Sequence, residues 1–356
     1  MVSVKVDQLK LGDKLLEDVL TPLGSTLLLK EKAITERELE ILKAFMIEEV
    51  EIVSHQSEER ASKEDDSSTP ATKQVGQAST FYSEYEKMVE MLRQLSHLIT
   101  ASQPIPLMDL RKQLNNIFDR IGEYNLITFT PAFNNNQDYM LHKSVVTSLT
   151  SYLLAQWVGL PQKDWMQVAL AGLLMDIGNV KIDSDILNKP GKLTEQEKQI
   201  IKKHTVYGYQ ILRSITALNE GVKLAALQHH ERVDGSGYPN QFLGSQLHPY
   251  SKIVAIADIY HAMTLNNVYR KPISPYLVLE QIQSDAFGKL EPSYVRTFIA
   301  KVANFNTGTK VKLSDGRVGE IVFFERDHPT RPWVSVQNTI VNLTIERSLH
   351  IIEIIQ

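Results

Sequence analysis

The chain has 356 residues, enough for two or three domains and a sizeable core. With 38 basic and 42 acidic residues the formal net charge is −4, so composition gives no sign of binding to long nucleic acid or to a membrane surface. Cysteine is absent, which excludes disulfides, a thiolate nucleophile and zinc–thiolate sites. No signal-peptide pattern opens the chain, and no stretch approaches the roughly 20 apolar residues that cross a bilayer. We therefore expect a cytoplasmic protein without membrane insertion.

Residues 1–53 alternate short β-like runs (SVKV, KLLEDVL, STLLL, EEVEIV) with one helical segment, ITERELEILKAFMI. This pattern predicts a small α+β domain. Residues 54–80 are rich in serine, threonine and charged residues and nearly lack large apolar ones, so they cannot bury enough surface to fold. They are predicted to form a flexible linker. Such a linker would let the N-terminal domain act as a tethered sensor or bind regulatory protein partners.

Helical periodicity dominates residues 81–305, where segments such as YEKMVEMLRQLSHLI and SKIVAIADIYHAMT place apolar residues at three- and four-residue intervals. An all-α domain is predicted there. Over residues 306–356 the period changes to two, and Ser314-Asp315-Gly316 marks a hairpin turn, which predicts a small β module. The predicted fold class is therefore mainly α, with a helical domain flanked by the N-terminal α+β domain and the C-terminal β module.

Histidine and aspartate are the main polar residues that interrupt the apolar helix faces. Asp176 and Asp258 lie in strongly apolar sequence, where an unpaired carboxylate would be costly to bury and a metal ion would supply the partner. A nitrogen and oxygen ligand set suits iron, manganese or zinc. A single histidine on a helix is most often a surface group or a satisfied core group, but the joint pattern predicts a metal site. The candidate ligands, enough for two ions if an aspartate bridges, are His142, Asp176, His204, His229, His230 and Asp258.

Five segments resemble the HD-GYP family in their order and spacing: LLMDIGNVKI, ILNKPGKLTEQE, KKHTVYGYQIL, HHERVDGSGYP and SKIVAIADIYHAMT…VYRKPISP. The resemblance covers about residues 138–275, and the long string HHERVDGSGYP makes it specific. It implies an all-helical, HD-type metal-dependent phosphohydrolase domain that hydrolyses cyclic di-GMP to the linear dinucleotide and to GMP. Relatives in this family often dimerise, so a homodimer is a further expectation.

The resemblance also implies roles for individual residues. His142 corresponds to the first histidine ligand of the family. Asp176 corresponds to the catalytic aspartate of the HD pair, which bridges two divalent ions, with Fe or Mn expected. Tyr238 and Arg270 are the expected substrate contacts. The remaining ligands are matched by His204, His229, His230 and Asp258, and Asp138 lies where some members place a carboxylate for a third ion.

Three positions depart from the family pattern. Met175 replaces the histidine of the HD pair, and methionine is a poor ligand for such metals, so one of the two ion sites is weakened. Asn179 and Asn267 replace a lysine and an arginine that the family directs at substrate phosphates, each worth about 1.5–3 kcal/mol.

Two functions remain open on this basis. One is metal-dependent hydrolysis of cyclic di-GMP with reduced or altered activity. The alternative is a catalytically inactive domain that acts as a cyclic di-GMP receptor or as a protein-interaction module. The intact ligand set of Asp176, His204, His229 and His230 favours the enzyme.

Overall fold

The computed structural model of the chain describes most of the sequence outside residues 53–79. The described residues are 2–6, 9–17, 19–20, 26–28, 30, 32–35, 39, 42, 47, 49–52, 80–133, 135–266, 273–286, 288–303, 307–325, 328–337 and 339–355. The chain divides into two compact units, Met1–Gly76 and Gln77–Gln356. The predicted linker, except for Thr80, lies outside the described residues.

Short antiparallel strands and an apolar cluster make up the described part of the first unit. Strand β1 (Val2–Lys5) pairs with β4 (Glu49–Ile52), and β2 (Val19–Leu20) pairs with β3 (Thr26–Leu28). Val4 of β1, Val19 of β2, and Val50 and Ile52 of β4 pack with the fully buried Leu15 and Leu42. These strands coincide with the predicted β-like runs, whereas most of the helix predicted over residues 34–47 lies outside the described residues.

Helices form the larger part of the second unit. They are α1 (Phe81–Thr100), α2 (Leu107–Phe118), α3 (Asn136–Trp157), α4 (Gln162–Leu174), α5 (Ser184–Leu187), α6 (Glu195–Lys202), α7 (His204–Arg213), α8 (Glu220–Gln228), α9 (Pro249–Thr264), α10 (Pro275–Asp285) and α11 (Pro292–Val302). Short 3-10 helices cover Ile121–Glu123, Ile177–Lys181 and Gly244–Gln246. Among the described residues, no helix combines the length and the apolar character needed to cross a membrane.

Side chains at the helix starts explain where several helices begin. The Thr80 hydroxyl accepts a hydrogen bond from the backbone N–H of Ser83, so α1 starts at the predicted domain boundary. Thr194 and Glu197 form a reciprocal capping box at the start of α6. Each cap satisfies a backbone N–H that has no partner within the helix.

Helix α3 is the central helix of this unit. It packs against α4 and α9, and residues 142–151 are buried in succession around the helix. A helix that is buried on every side belongs in a domain core. Polar side chains at positions 142 and 143 are therefore held inside the protein, and their partners must come from neighbouring elements.

A five-stranded antiparallel sheet completes the second unit. Its strands are β5 (Lys310–Leu313), β6 (Val318–Phe323), β7 (Trp333–Val336), β8 (Thr339–Asn342) and β9 (Ile351–Ile355), in the order β8-β7-β6-β5-β9. Gly316 has a φ of +88°, which a glycine adopts without strain at the predicted hairpin turn. The mainly helical fold with a C-terminal β module is thus confirmed. The buried side chains of the helices and the sheet form one core. The domain boundary between residues 305 and 306 stays a prediction.

Candidate metal centre

Four of the predicted ligands lie together in the helical unit. Asp176, His204, His229 and His230 each offer one ligand atom, and these four atoms lie within 4.8 Å of one another. Asp176 follows α4, His204 opens α7, and the two adjacent histidines follow α8. Three of the four side chains are buried, and His230 is half-buried.

The approach of Asp176 to His204 depends on a glycine contact. Gly178, in the 3-10 helix after Asp176, faces the backbone of α7 so closely that a Cβ would overlap the carbonyl oxygen of His204. The same Cβ would come within 2.5 Å of the backbone nitrogen of Gly208. Only a residue without a side chain allows this packing.

The buried histidines are oriented by backbone carbonyls of the helices that precede them. Nδ1 of His204 donates to the carbonyl of Ile201 at 2.8 Å, and Nδ1 of His229 lies 3.0 Å from the carbonyl of Ala225. Because a carbonyl can only accept, Nδ1 of each ring carries a proton, and in the Nδ1–H tautomer Nε2 carries the lone pair. Burial lowers the pKa of His204, which keeps its ring neutral at pH 7.

The resulting donor set fits a cation. Nε2 of His204 and Nε2 of His229 face each other at 3.3 Å, and Asp176 Oδ1 lies 3.4 Å and 3.7 Å from these two atoms. In this tautomer no proton lies between the three electron-rich atoms, so they repel one another unless a metal ion or an added proton joins them. Imidazole nitrogen with carboxylate oxygen is a donor set that Zn, Fe and Mn accept.

His230 completes the group and connects it to the glycine turn. Burial, followed by the neighbouring His229 and His204, holds the pKa of His230 well below its ordinary value, so this ring too is neutral. Its ring stacks on that of Tyr238, with centroids 4.7 Å apart. Lys202 Nζ lies 5.1 Å from the Tyr238 ring centroid, within the range of a cation–π contact.

The loop that carries Tyr238 is held by Glu231, which the sequence interpretation missed. The buried carboxylate of Glu231 accepts hydrogen bonds from the backbone N–H groups of Asn240, at 2.7 Å, and of Phe242, at 3.2 Å. Gly237 is also required, since a Cβ there would lie 2.5 Å from the backbone nitrogen of Arg232. The sequence signal for this role was the position of Glu231 directly after the paired histidines.

Lys143 is the second residue that the sequence interpretation missed. Its ammonium nitrogen lies 2.8 Å from Asp176 Oδ2 and 2.7 Å from Asp258 Oδ1. Burial alone would lower the pKa of Lys143, but the two carboxylates raise it well above its ordinary value. Burial likewise opposes ionisation of Asp176, yet the ammonium of Lys143 keeps the pKa of Asp176 well below the usual range.

Asp258 and His142 lie outside the four-residue group. Asp258 bonds to Lys143, as described above. His142 Nδ1 lies 2.6 Å from the hydroxyl oxygen of Tyr85, and the His142 ring stacks between the rings of Tyr85 and Phe133. The ligand roles assigned to Asp258 and His142 by the family resemblance stay predictions.

Asp138, the expected carboxylate for a third ion, is engaged elsewhere. Its Oδ1 accepts hydrogen bonds from both terminal nitrogens of Arg93, at 3.2 Å and 2.9 Å. Asn135 Nδ2 donates to the other oxygen at 2.7 Å. Arg93 therefore already supplies the positive partner of this carboxylate.

The substituted family positions differ in their surroundings. Met175 is fully buried within the apolar core. Asn179 lines a cavity of about 430 Å³ that reaches Asp176, with Arg93 among its other polar walls. Asn267 and the predicted substrate contact Arg270 lie outside the described residues.

Comparison with known proteins identifies the helical region. Residues 126–293 match the family model described as "HD domain". The "Cyclic di-GMP phosphodiesterase PA4108" of Pseudomonas aeruginosa is 31% identical over 198 residues, which cover 56% of this chain and 48% of that protein. The "3'3'-cGAMP-specific phosphodiesterase 2" of Vibrio cholerae is 37% identical over 147 residues, covering 41% of this chain and 28% of the relative.

A third relative is the "Cyclic di-GMP phosphodiesterase response regulator RpfG" of Xanthomonas campestris pv. campestris. It is 38% identical over 120 residues, which cover 33% of this chain and 32% of that protein. The chain thus spans less than half the length of each of these three relatives. The family match shows that residues 126–293 contain an HD domain, and the relatives and the loop HHERVDGSGYP beside a histidine–aspartate group are consistent with the HD-GYP family.

Proposed function

We propose that the HD domain is a metal-dependent phosphodiesterase that hydrolyses a cyclic dinucleotide, with cyclic di-GMP as the expected substrate. The observation that carries this proposal is the group of Asp176, His204, His229 and His230, whose ligand atoms converge within 4.8 Å. Two of the histidines present Nε2 lone pairs to each other, which only a cation or an added proton would relieve. Relatives named for cyclic di-GMP and for 3'3'-cGAMP support the substrate class.

A divalent ion at such a site would polarise a phosphodiester and lower the pKa of water, which removes the need for a protein nucleophile. The chain's own residues hold and orient the ligands. Ile201 and Ala225 fix the ring tautomers through their carbonyl oxygens. Glu231 fixes the loop that presents Tyr238, and Lys202 provides a positive charge against that ring. Together these groups favour an anionic ligand with aromatic bases next to the metal centre.

The receptor alternative is also supported by a specific observation. Met175 occupies the HD histidine position with a fully buried apolar side chain, so the position lacks the imidazole ligand of the family pattern. A domain with this change could bind a cyclic dinucleotide and signal through its conformation without breaking a bond. Binding and turnover must therefore be measured separately.

The test uses the full chain, stripped with a chelator and reloaded with Mn²⁺ or, without oxygen, with Fe²⁺. Metal per chain, binding of cyclic di-GMP and formation of the linear dinucleotide are measured for the wild type and for His229→Gln, with 3'3'-cGAMP as a second substrate. We expect metal and product in the wild type and loss of both in the variant. Metal-loaded wild type that binds cyclic dinucleotide without product would establish the receptor, and wild type without metal would contradict the centre itself.

A further inference from the structure

We infer that the ammonium group of Lys143 takes the place of a second metal ion between Asp176 and Asp258, so that the centre holds one ion and one fixed lysine cation. This inference rests on the metal site of the proposed function. It differs from the expectation of two ions that the family resemblance implies.

The position of Lys143 is the first step. Its Nζ lies 2.8 Å from Asp176 and 2.7 Å from Asp258, so one ammonium joins two carboxylates that come from separate segments. Less than a tenth of each of the three side chains is exposed. Buried carboxylates need a compensating charge, and this one is supplied by the chain itself.

The second step is that the two carboxylate oxygens of Asp176 face different partners. Its Oδ1 faces His204 and His229, while Oδ2 has no hydrogen bond among the described residues besides its ion pair with Lys143. One oxygen is therefore directed to the metal group and the other to the lysine. In a centre with two ions, a bridging carboxylate would direct its two oxygens to two metals in the same manner.

The family ligand positions nearest to Lys143 are the third step. The Met175 side chain lies in the apolar core, and Nδ1 of His142 lies at hydrogen-bonding distance from the Tyr85 hydroxyl. Adjacent residues of an α-helix point about 100° apart, so Lys143 faces Asp176 and Asp258 while His142 faces α1. A second ion between the two carboxylates would therefore have to displace the ammonium.

A count of bound metal tests this inference without relying on activity. The wild type and Lys143→Ser are stripped, titrated with Mn²⁺, and measured by elemental analysis and by electron paramagnetic resonance. We expect one uncoupled Mn²⁺ per wild-type chain, and a second, weaker ion with exchange coupling in Lys143→Ser. Lys252→Ser is the matched control, because Lys252 forms a comparable, partly buried ion pair with Glu291 at 2.9 Å but lies outside the metal group.

The outcomes separate this inference from the proposed function. A coupled pair of ions in the wild type would overturn the inference while leaving the phosphodiesterase intact, and a folded Lys143→Ser with one ion would overturn the role given to Lys143. Absence of metal from the wild type would instead contradict the proposed metal centre. Lys143→Ser leaves two facing carboxylates without a cation between them. The unfolding temperature of this variant should therefore continue to rise when Mn²⁺ is added beyond one equivalent per chain. The number of ions bound per wild-type chain tests the inference even where Lys143→Ser does not fold.

Discussion

Gly178 and His204 meet backbone to backbone, and this contact places Asp176 beside the histidines of the four-residue group. A Cβ at position 178 would overlap the His204 carbonyl oxygen. Gly178→Ala should therefore push the 3-10 helix away from α7, at a cost of about 1–3 kcal/mol in the free energy of unfolding. Because Asp176 moves with that helix, we also expect metal affinity to fall at least tenfold, measured by Mn²⁺ titration and thermal unfolding.

Gly122→Ala is the matched control for this change. Gly122 also lies in a 3-10 helix, Ile121–Glu123, but a Cβ there would meet no atom within 4 Å. We expect this variant to bind metal as the wild type does. Wild-type metal affinity in Gly178→Ala would contradict the part assigned to the backbone contact.

The four-residue group illustrates what sequence patterns can establish. Asp176, His204, His229 and His230 could be predicted because each is a potential ligand in a recognisable motif, and the structure brings them together. Lys143 could not, since a lysine in HKSVV is usually a surface residue. Its burial depends on α4 and α9 packing around α3, which local sequence does not encode.

The sequence identifies His142 as a candidate ligand but does not predict what surrounds its ring. It lies one residue from Lys143 and matches a ligand position, yet its ring is placed between Tyr85 and Phe133. Both aromatic partners come from segments outside α3, and only tertiary packing decides which side of the helix they cover. Glu231 was missed for a similar reason, because its two backbone partners lie nine and eleven residues further along the loop.

The same substitution, histidine to glutamine, at two positions tests which histidines bind metal. His204→Gln removes an Nε2 that lies 3.4 Å from Asp176 Oδ1, so we expect metal affinity to fall by a factor of about 100 or more. His142→Gln removes a ring outside the four-residue group and should leave metal affinity within a few-fold of the wild type. Elemental analysis after dialysis measures both. Equal metal loss in the two variants would show that His142 is a ligand after all.

Restoring the family histidine at position 175 should not by itself add an ion. Met175 is fully buried in the apolar core, so the polar ring of Met175→His should cost about 1–3 kcal/mol in unfolding free energy. Lys143 would still join the two carboxylates, and we expect one ion per chain. The double variant Met175→His/Lys143→Ser should bind two.

Met175→Leu controls for the change of shape at this position, with an expected cost below about 1.5 kcal/mol. Denaturant unfolding and the number of bound ions are compared for the wild type, Met175→His, Met175→Leu and the double variant. Two ions in Met175→His alone would show that methionine, and not lysine, excludes the second ion.

Glu231 should stabilise the loop around Tyr238. Its carboxylate accepts from two backbone N–H groups, so Glu231→Ala should cost about 1.5–3 kcal/mol in the free energy of unfolding and expose the loop to proteolysis. Glu220→Ala is the control, because Glu220 is largely exposed and pairs with Lys223 in the next helical turn. Limited proteolysis and thermal unfolding distinguish the two variants, and equal resistance would contradict the role of Glu231.

His261 should make the metal-free protein sensitive to acid. Burial, followed by the positive charge of Lys143, lowers the pKa of His261 from 6.5 to about 3, and its Nε2 lies 2.7 Å from the Thr150 hydroxyl oxygen. Between these two pKa values the unfolded chain binds a proton that the folded chain does not. Stability is therefore expected to fall as the pH drops from 6.5 towards 3, and this group should contribute nothing to the slope above that range.

His261→Gln isolates this contribution, because it keeps a hydrogen-bonding side chain but cannot titrate. In chelator, we expect the variant to lose up to about 1.4 kcal/mol per pH unit from the slope of unfolding free energy below pH 6.5. Part of the slope should remain, because burial also lowers the pKa values of His204 and His230. His328→Gln, at an exposed position, is the control. Denaturant unfolding at several pH values gives the slopes, and parallel curves for wild type and His261→Gln would mean that His261 is already protonated in the folded chain.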